Sequence, residues 1–174
     1  LKILQFWIQS VIELIKQIEK SVYWVIVNPI SWGKEKKTLQ LKIAKHLDLN
    51  TYSYKIILTQ YKGHAKEIAV KAVKEKIPFV CAVGGDGTIH EIGKELINSK
   101  TALCVIAKGS GNGIANHLGL SKKTKKAIQC INKAVVTKID TVAVNSSFFI
   151  GTSGFGVDAM IARKFDNDPK RGFK

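Results

Sequence analysis

Gly84-Gly85-Asp86-Gly87-Thr88 follows the apolar run Pro78-Phe79-Val80-Cys81-Ala82-Val83 and leads into a helix-like stretch over residues 89–97. An apolar strand, a glycine turn and a helix start bring backbone close to phosphate. Glycines remove the side chains that would hold a ligand away. The helix start adds unpaired N–H groups and the positive end of the dipole. Asp86 is the odd member, because a carboxylate repels phosphate. It needs a task, either holding a metal ion or taking a proton from an acceptor hydroxyl.

Outward from this stretch, strands and helices alternate. Residues 22–27 and 52–58 read as strands, as do 79–83 and 103–107. Helical spacing is expected over 38–47, over 65–73 after Gly63, from Gly113 to about Leu118, and over 125–131. Such alternation predicts an α/β fold with an open, mostly parallel sheet. Residues 135–144 and 148–152 then read as strands around a hairpin signal at Asn145-Ser146-Ser147. The expected organisation is an N-terminal amphipathic helix (1–20), an α/β nucleotide-binding domain (21–121) and the start of a β-rich second domain (122–174). The chain opens on leucine and stops in Lys170-Arg171-Gly172-Phe173-Lys174 without a terminating element, so the second domain reads as truncated.

A chain of 174 residues with 45% hydrophobic and 24% charged residues suffices for one domain with a real core. The net charge of +15 is the unusual quantity. It fits a solvated basic surface, an anionic ligand or an anionic membrane surface. Nucleic acid is disfavoured, since the aromatic-basic interleaving of single-strand binders is missing. Three cysteines without metal-ligand spacing suit a reducing compartment. No run reaches the roughly 18 apolar residues of a spanning helix. A cytoplasmic protein is expected, with peripheral contact at the inner membrane face.

Three loops each follow a strand: 28–34, 84–88 and 109–113. In an open parallel sheet such loops share the edge where ligands bind. Neither glycine loop is a dinucleotide fingerprint, and no P-loop lysine pattern occurs. Ser31, Lys34, Thr59, Thr88, Ser110 and Asn112 supply hydroxyls, an amide and a cation suited to phosphate. Each alone also suits a turn or helix cap. Their joint placement at strand ends is what points to a ligand.

In order, the chain carries Asn28-Pro29-x-Ser31-x-Gly33-Lys34, Thr59 with Gly63-His64-Ala65, Gly84-Gly85-Asp86-Gly87-Thr88 with His90-Glu91, and Gly109-Ser110-Gly111-Asn112 with Ala115 and Leu118. Gly154-Phe155-Gly156-Val157-Asp158-Ala159 follows. With these motifs the chain resembles the catalytic domain of diacylglycerol kinases, including related bacterial lipid kinases and sphingosine kinases. The resemblance runs from about Val22 to Phe173. It implies an α/β nucleotide domain followed by a β-rich, lipid-holding domain, with ATP and Mg²⁺ as cofactors and a lipid alcohol as acceptor. It further implies that Gly84, Gly85, Gly87 and Thr88 lie against the nucleotide phosphates, with Asp86 as catalytic group. Asn28, Ser31, Gly33, Lys34, Thr59, Gly109, Ser110, Gly111 and Asn112 are implied ATP contacts. Glu91 would orient the loop, Asp158 would face the lipid head group or the metal, and Lys170 and Arg171 would reach phosphate.

Four positions depart from the family pattern. Trp32 stands where a small residue is usual, Ala107-Lys108 replaces a pattern with proline first, Gly93-Lys94 precedes a missing asparagine-glycine pair, and Asn116 replaces a common arginine. Two other readings stay open. One is a kinase of a soluble acceptor such as NAD, which shares the Gly-Gly-Asp-Gly loop. The other is a non-catalytic basic module for membrane binding on a kinase fold.

Overall fold

The computed structural model describes residue 5 and residues 20–32, 36–133, 135–145, 147–151, 154 and 156–167. Four parallel strands form the main sheet: β1 (Ser21–Val27), β2 (Tyr52–Leu58), β3 (Phe79–Gly84) and β4 (Ala102–Ala107). Their spatial order is β2-β1-β3-β4. The helices between them are α1 (Pro29–Trp32), α2 (Lys36–His46), α3 (His64–Lys74), α4 (Asp86–Leu96), α5 (Gly113–His117) and α6 (Thr124–Ile131). A short antiparallel hairpin follows, β5 (Val142–Val144) and β6 (Ser147–Phe149), and then α7 (Val157–Asn167).

The sheet is covered on both faces, which is why β1 and β3 are apolar at successive positions rather than alternating. Trp24, Ile26, Val80 and Ala82 pack toward α3 and α4. Tyr23, Val25, Val27, Cys81 and Val83 pack toward α2 and α6. On the first face Ala69 and Ala72 of α3 are fully buried, so small side chains seat this helix closely on the sheet. On the second, Tyr23 stacks on Phe79 at 4.5 Å and meets the Tyr52 ring edge-on at 5.1 Å. Burial pushes the Tyr23 phenol far above its ordinary range.

The chain runs from β1 outward to β2, then crosses to the other side of β1 for β3 and β4. The direction of winding reverses between β1 and β3, the place where open α/β sheets bind ligands. Val27 is in register with both Leu58 and Val83, so these strands end level with one another.

The observed elements differ from expectation in four respects. Helix α4 begins at Asp86 itself and β3 runs through Gly84, so the turn shrinks to Gly85 alone and Asp86-Gly87-Thr88 is the first helical turn. Residues 29–32, expected as turn, form one helical turn, with proline at its first position where a missing N–H costs nothing. The long strand expected over 135–144 narrows to Val142–Val144. Val135, Val136 and Ile139 are β-branched but exposed, and without a surface to pack on their strand preference is not realised. Helix α7 lies in the stretch expected only as part of a β-rich second domain. The expected N-terminal helix lies outside the described residues apart from Gln5.

The hairpin docks on the first unit. Ile150 is buried in the same cluster as α4, and a Cβ on Gly93 would stand 2.6 Å from its Cδ1. The Phe149 ring lies 5.8 Å from that of His90. Helix α6, which follows residue 121, packs into the α2 layer of the sheet through Ala127 and Ile128.

Candidate active site

Asn28 and Thr88 close the crevice between β1 and β3. The Asn28 N–H donates to Val83 O at 3.0 Å, extending the ladder one step. Its side-chain Oδ1 accepts from Ile30 N at 3.0 Å and caps α1. Its Nδ2 donates to Thr88 Oγ1 at 3.1 Å. Thr88 is buried and folds back over the strand, where a Cβ on Gly84 would come within 2.7 Å of it. Asn28 and Thr88, read from sequence as phosphate contacts, thus also fasten the two strand ends to each other.

The second glycine loop lies directly on the first. Lys108 N donates to Gly84 O at 2.7 Å, the last rung between β3 and β4. Beyond it the two backbones touch: a Cβ on Gly109 would stand 2.6 Å from Gly85 Cα, and one on Gly85 would stand 3.1 Å from Gly109 Cα. No residue with a side chain fits at either place without moving backbone. Asn112 closes the second loop on itself. It is buried, left-handed at φ 55, and its side chain both accepts from Gly109 N and donates to Gly109 O at 2.7 Å. Asparagine tolerates that conformation better than other residues with a side chain. Asn116 Nδ2 donates to Gly111 O at 3.1 Å, so the residue that departs from the family pattern steadies the same loop.

Asp86 spans the two loops. Its Oδ1 accepts from Ile114 N at 3.2 Å. Its Oδ2 faces Gly111, where a Cβ would stand 3.1 Å away. The carboxylate therefore sits half-buried between the first turn of α4 and the start of α5. Helix α4 starts from Gly85, which gives no side-chain cap bond, so the N–H groups of its first turn face the sheet edge. An 11-residue helix carries enough dipole there to favour an anion.

Glu91 has a more distant partner than the loop it was expected to orient. Its Oε1 accepts from Lys66 N at 3.1 Å, in the first turn of α3. The residue before that helix is Gly63, at φ 95 and without a side chain to cap it. Glu91 supplies the missing cap from the neighbouring helix. Beside it, His64 Nδ1 accepts from Gln60 N at 3.1 Å, and the Tyr61 ring stacks on the imidazole at 4.6 Å. The Tyr61 hydroxyl donates to Glu67 Oε2 at 2.7 Å, which pushes its pKa up.

The remaining expected residues divide. Thr59 and Ser31 are half-buried, Thr59 at the end of β2 with its N–H bound to Val27 O, and Ser31 in α1. Ser110, Gly87 and Gly111 are exposed at the glycine loops. Asp158 is exposed in the first turn of α7. Gly33, Lys34, Lys170 and Arg171 lie outside the described residues. Sequence reasoning did not find the Asp86–Ile114 link or the Glu91 cap, since both join segments 25 or more positions apart. The Asn112-Gly113 pair was a readable signal for the left-handed turn.

A family model for the diacylglycerol kinase catalytic domain matches residues 22–144. The chain belongs to that family. Among its relatives are a sphingoid long chain base kinase of Saccharomyces cerevisiae, 30% identical over 130 residues, and a diacylglycerol kinase of Bacillus subtilis, 29% identical over 135 residues. These matches cover 70% and 76% of this chain but only 19% and 45% of the relatives. A protein of Synechocystis sp. is 30% identical over 159 residues, covering 84% of this chain and 36% of its own length. The chain thus spans less than half of each of these three proteins. A solved diacylglycerol kinase structure from Bacillus anthracis superposes with a TM-score of 0.65 at 22% identity, over 83% of this chain and 53% of that one. Across the diacylglycerol kinase match lie the crevice, both glycine loops and the β5 strand.

Proposed function

We propose that this chain is the nucleotide-binding part of an ATP-dependent lipid kinase, which transfers the γ-phosphoryl group to the hydroxyl of diacylglycerol or a related lipid alcohol. One observation carries the reading. Gly85 and Gly109 meet backbone to backbone beyond the ends of β3 and β4, beside the switch point, leaving a side-chain-free edge next to the uncapped first turn of α4 and its Asp86.

Phosphoryl transfer rests mainly on positioning and on neutralising charge. This edge suits the phosphate chain of ATP, with the α4 dipole offsetting its charge. Gly87 and Ser110 bring further backbone N–H groups to the same edge. Asp86 then orients the acceptor hydroxyl and takes its proton, as the acceptor oxygen bonds to the γ-phosphorus and the bond to ADP breaks. Mg²⁺, when bound, neutralises phosphate charge. Among the described residues no group of three His, Cys, Asp or Glu side chains is placed to hold a metal alone. Mg²⁺ would be met there mainly by the nucleotide phosphates, with Asp86 the carboxylate at that edge. Asp158 is reserved for the lipid head group. No helix among the described residues is long and apolar enough to cross a membrane, and the acceptor is reached by peripheral contact from the cytoplasmic side.

The test offers the protein ATP labelled at the γ-phosphate with a panel of lipid alcohols and NAD in parallel. Labelled lipid phosphate is the expected product, lost in Asp86→Asn while ATP binding is kept. A folded protein that labels no lipid alcohol, or labels NAD instead, contradicts the proposal.

A further inference from the structure

The two helix layers of the sheet differ in charge. On the α3–α4 face acids stand where helices favour them, Glu67 and Asp86 in first turns, and two of the four lysines have carboxylate partners, Lys66 with Glu95 at 4.0 Å and Lys71 with Glu75 at 3.7 Å. On the other face neither α2 nor α6 contains an acidic residue. Both carry lysine in the first turn, Lys37 in α2 and Lys125 and Lys126 in α6, against the helix dipole. The N-cap of α6 is Lys123, without a side-chain cap bond, where a short polar residue is preferred. These choices work against the local stability of both helices. A repeated conflict of this kind marks a site where something other than folding is served.

The conflicts converge in space. Asn132, just past α6, donates to His46 O at the end of α2 and accepts from Asp48 N. The C-termini of the two helices are therefore joined, and the helices run side by side in the same direction. Since α2 leads away from the β1 end and β2 begins beyond it, both lysine-bearing first turns lie toward the edge that holds the glycine loops. Lys37, Leu41 and Lys45 form a line at intervals of four residues along α2, all exposed, with Leu41 at 69%.

We propose that the α2–α6 face is a docking surface for an anionic phospholipid bilayer, with the lysines meeting head-group phosphates and Leu41 entering the interface. A bilayer offers both anionic and apolar surface. Neither helix carries Phe, Tyr or Trp for stacking on bases, which favours lipid over nucleic acid. The surface acts independently of phosphoryl transfer, so its test needs no turnover.

The experiment measures binding of the 174-residue chain to phosphatidylcholine vesicles with and without phosphatidylglycerol, at low and high salt. One variant combines Lys37→Glu, Lys125→Glu and Lys126→Glu. A control with the same charge change combines Lys74→Glu, Lys76→Glu and Lys100→Glu. Salt-sensitive binding to the anionic vesicles is expected, weakened more than about tenfold in the first variant and less than about threefold in the control. The thermal midpoint of the first variant should also rise, by about 1–4 °C, because its new acids agree with the helix dipoles. Equal weakening in both variants, no vesicle binding by the parent chain, a lower midpoint in the first variant, or binding of nucleic acid without binding of vesicles would each overturn the proposal.

Discussion

Asp86 Oδ1 accepts the N–H of Ile114 at 3.2 Å, so the carboxylate of the first glycine loop caps the helix that follows the second. The bond fixes which oxygen serves structure and which faces outward. Oδ2 looks onto Gly111, where a methyl group would stand 3.1 Å away. Gly111 is exposed and is not at a positive φ, so alanine is conformationally permitted there. Gly111→Ala should leave stability within about 0.5 kcal/mol, yet lower lipid phosphorylation by tenfold or more by crowding the proton-accepting oxygen. Transfer rates beside a denaturant curve check this, and unchanged transfer would remove Oδ2 from the reaction.

Gly109→Ala should behave differently. Its Cβ would lie 2.6 Å from Gly85 Cα, which is backbone and cannot rotate away. The two loops must separate, at a cost of about 1–3 kcal/mol by the usual scale of overpacking. Chemical denaturation should show the loss, and ATP affinity should fall with it.

Gly87 offers the opposite case. A Cβ there meets nothing within 4 Å, and the residue lies in the first turn of α4. Alanine should raise stability by about 0.5 kcal/mol through helix propensity. If phosphate approaches this turn, Gly87→Ala nevertheless weakens ATP binding. A variant that is more stable and binds ATP as before would take this backbone out of the phosphate site.

Glu91→Ala removes the acceptor for Lys66 N and leaves α3 with the side-chain-free cap Gly63. The expected loss is about 1 kcal/mol. Glu91→Gln should restore most of it, since an amide oxygen still accepts. Denaturation midpoints of the two variants decide this, and equal destabilisation would show that charge rather than capping matters.

Cys81 and Cys104 are adjacent in register on β3 and β4. Burial pushes the Cys104 thiol up to about 12 and the Cys81 thiol well above its ordinary value. A raised thiol pKa keeps the unreactive protonated form at about pH 8. Iodoacetamide should therefore add once to the folded chain, at exposed Cys130, and three times after denaturation. Mass spectrometry reads both numbers.

The parallel sheet was legible because residues 22–27 and 79–83 are apolar throughout, as strands buried on both faces must be. The glycine loops were legible because glycine before a helix has few other uses. The start of α4 was less so, since Asp86-Gly87-Thr88 contains a glycine that sequence rules count as turn. Helix α7 was missed because its apolar residues Val157, Met160 and Ile161 are exposed and follow a strand-like, glycine-rich stretch. The roles of Asn28 and Asn112 were half visible. Their amides suit phosphate, but only the fold shows them bonding to Thr88 and Gly109.

Amide chemical shifts of the 19.2 kDa chain, followed as Mg²⁺-ATP is added, test the nucleotide site most directly. The largest shifts are expected at Gly85, Asp86, Gly87, Ser110 and Gly111, with adenosine alone moving them little. Saturable ATP shifts that spare all five amides would contradict the site.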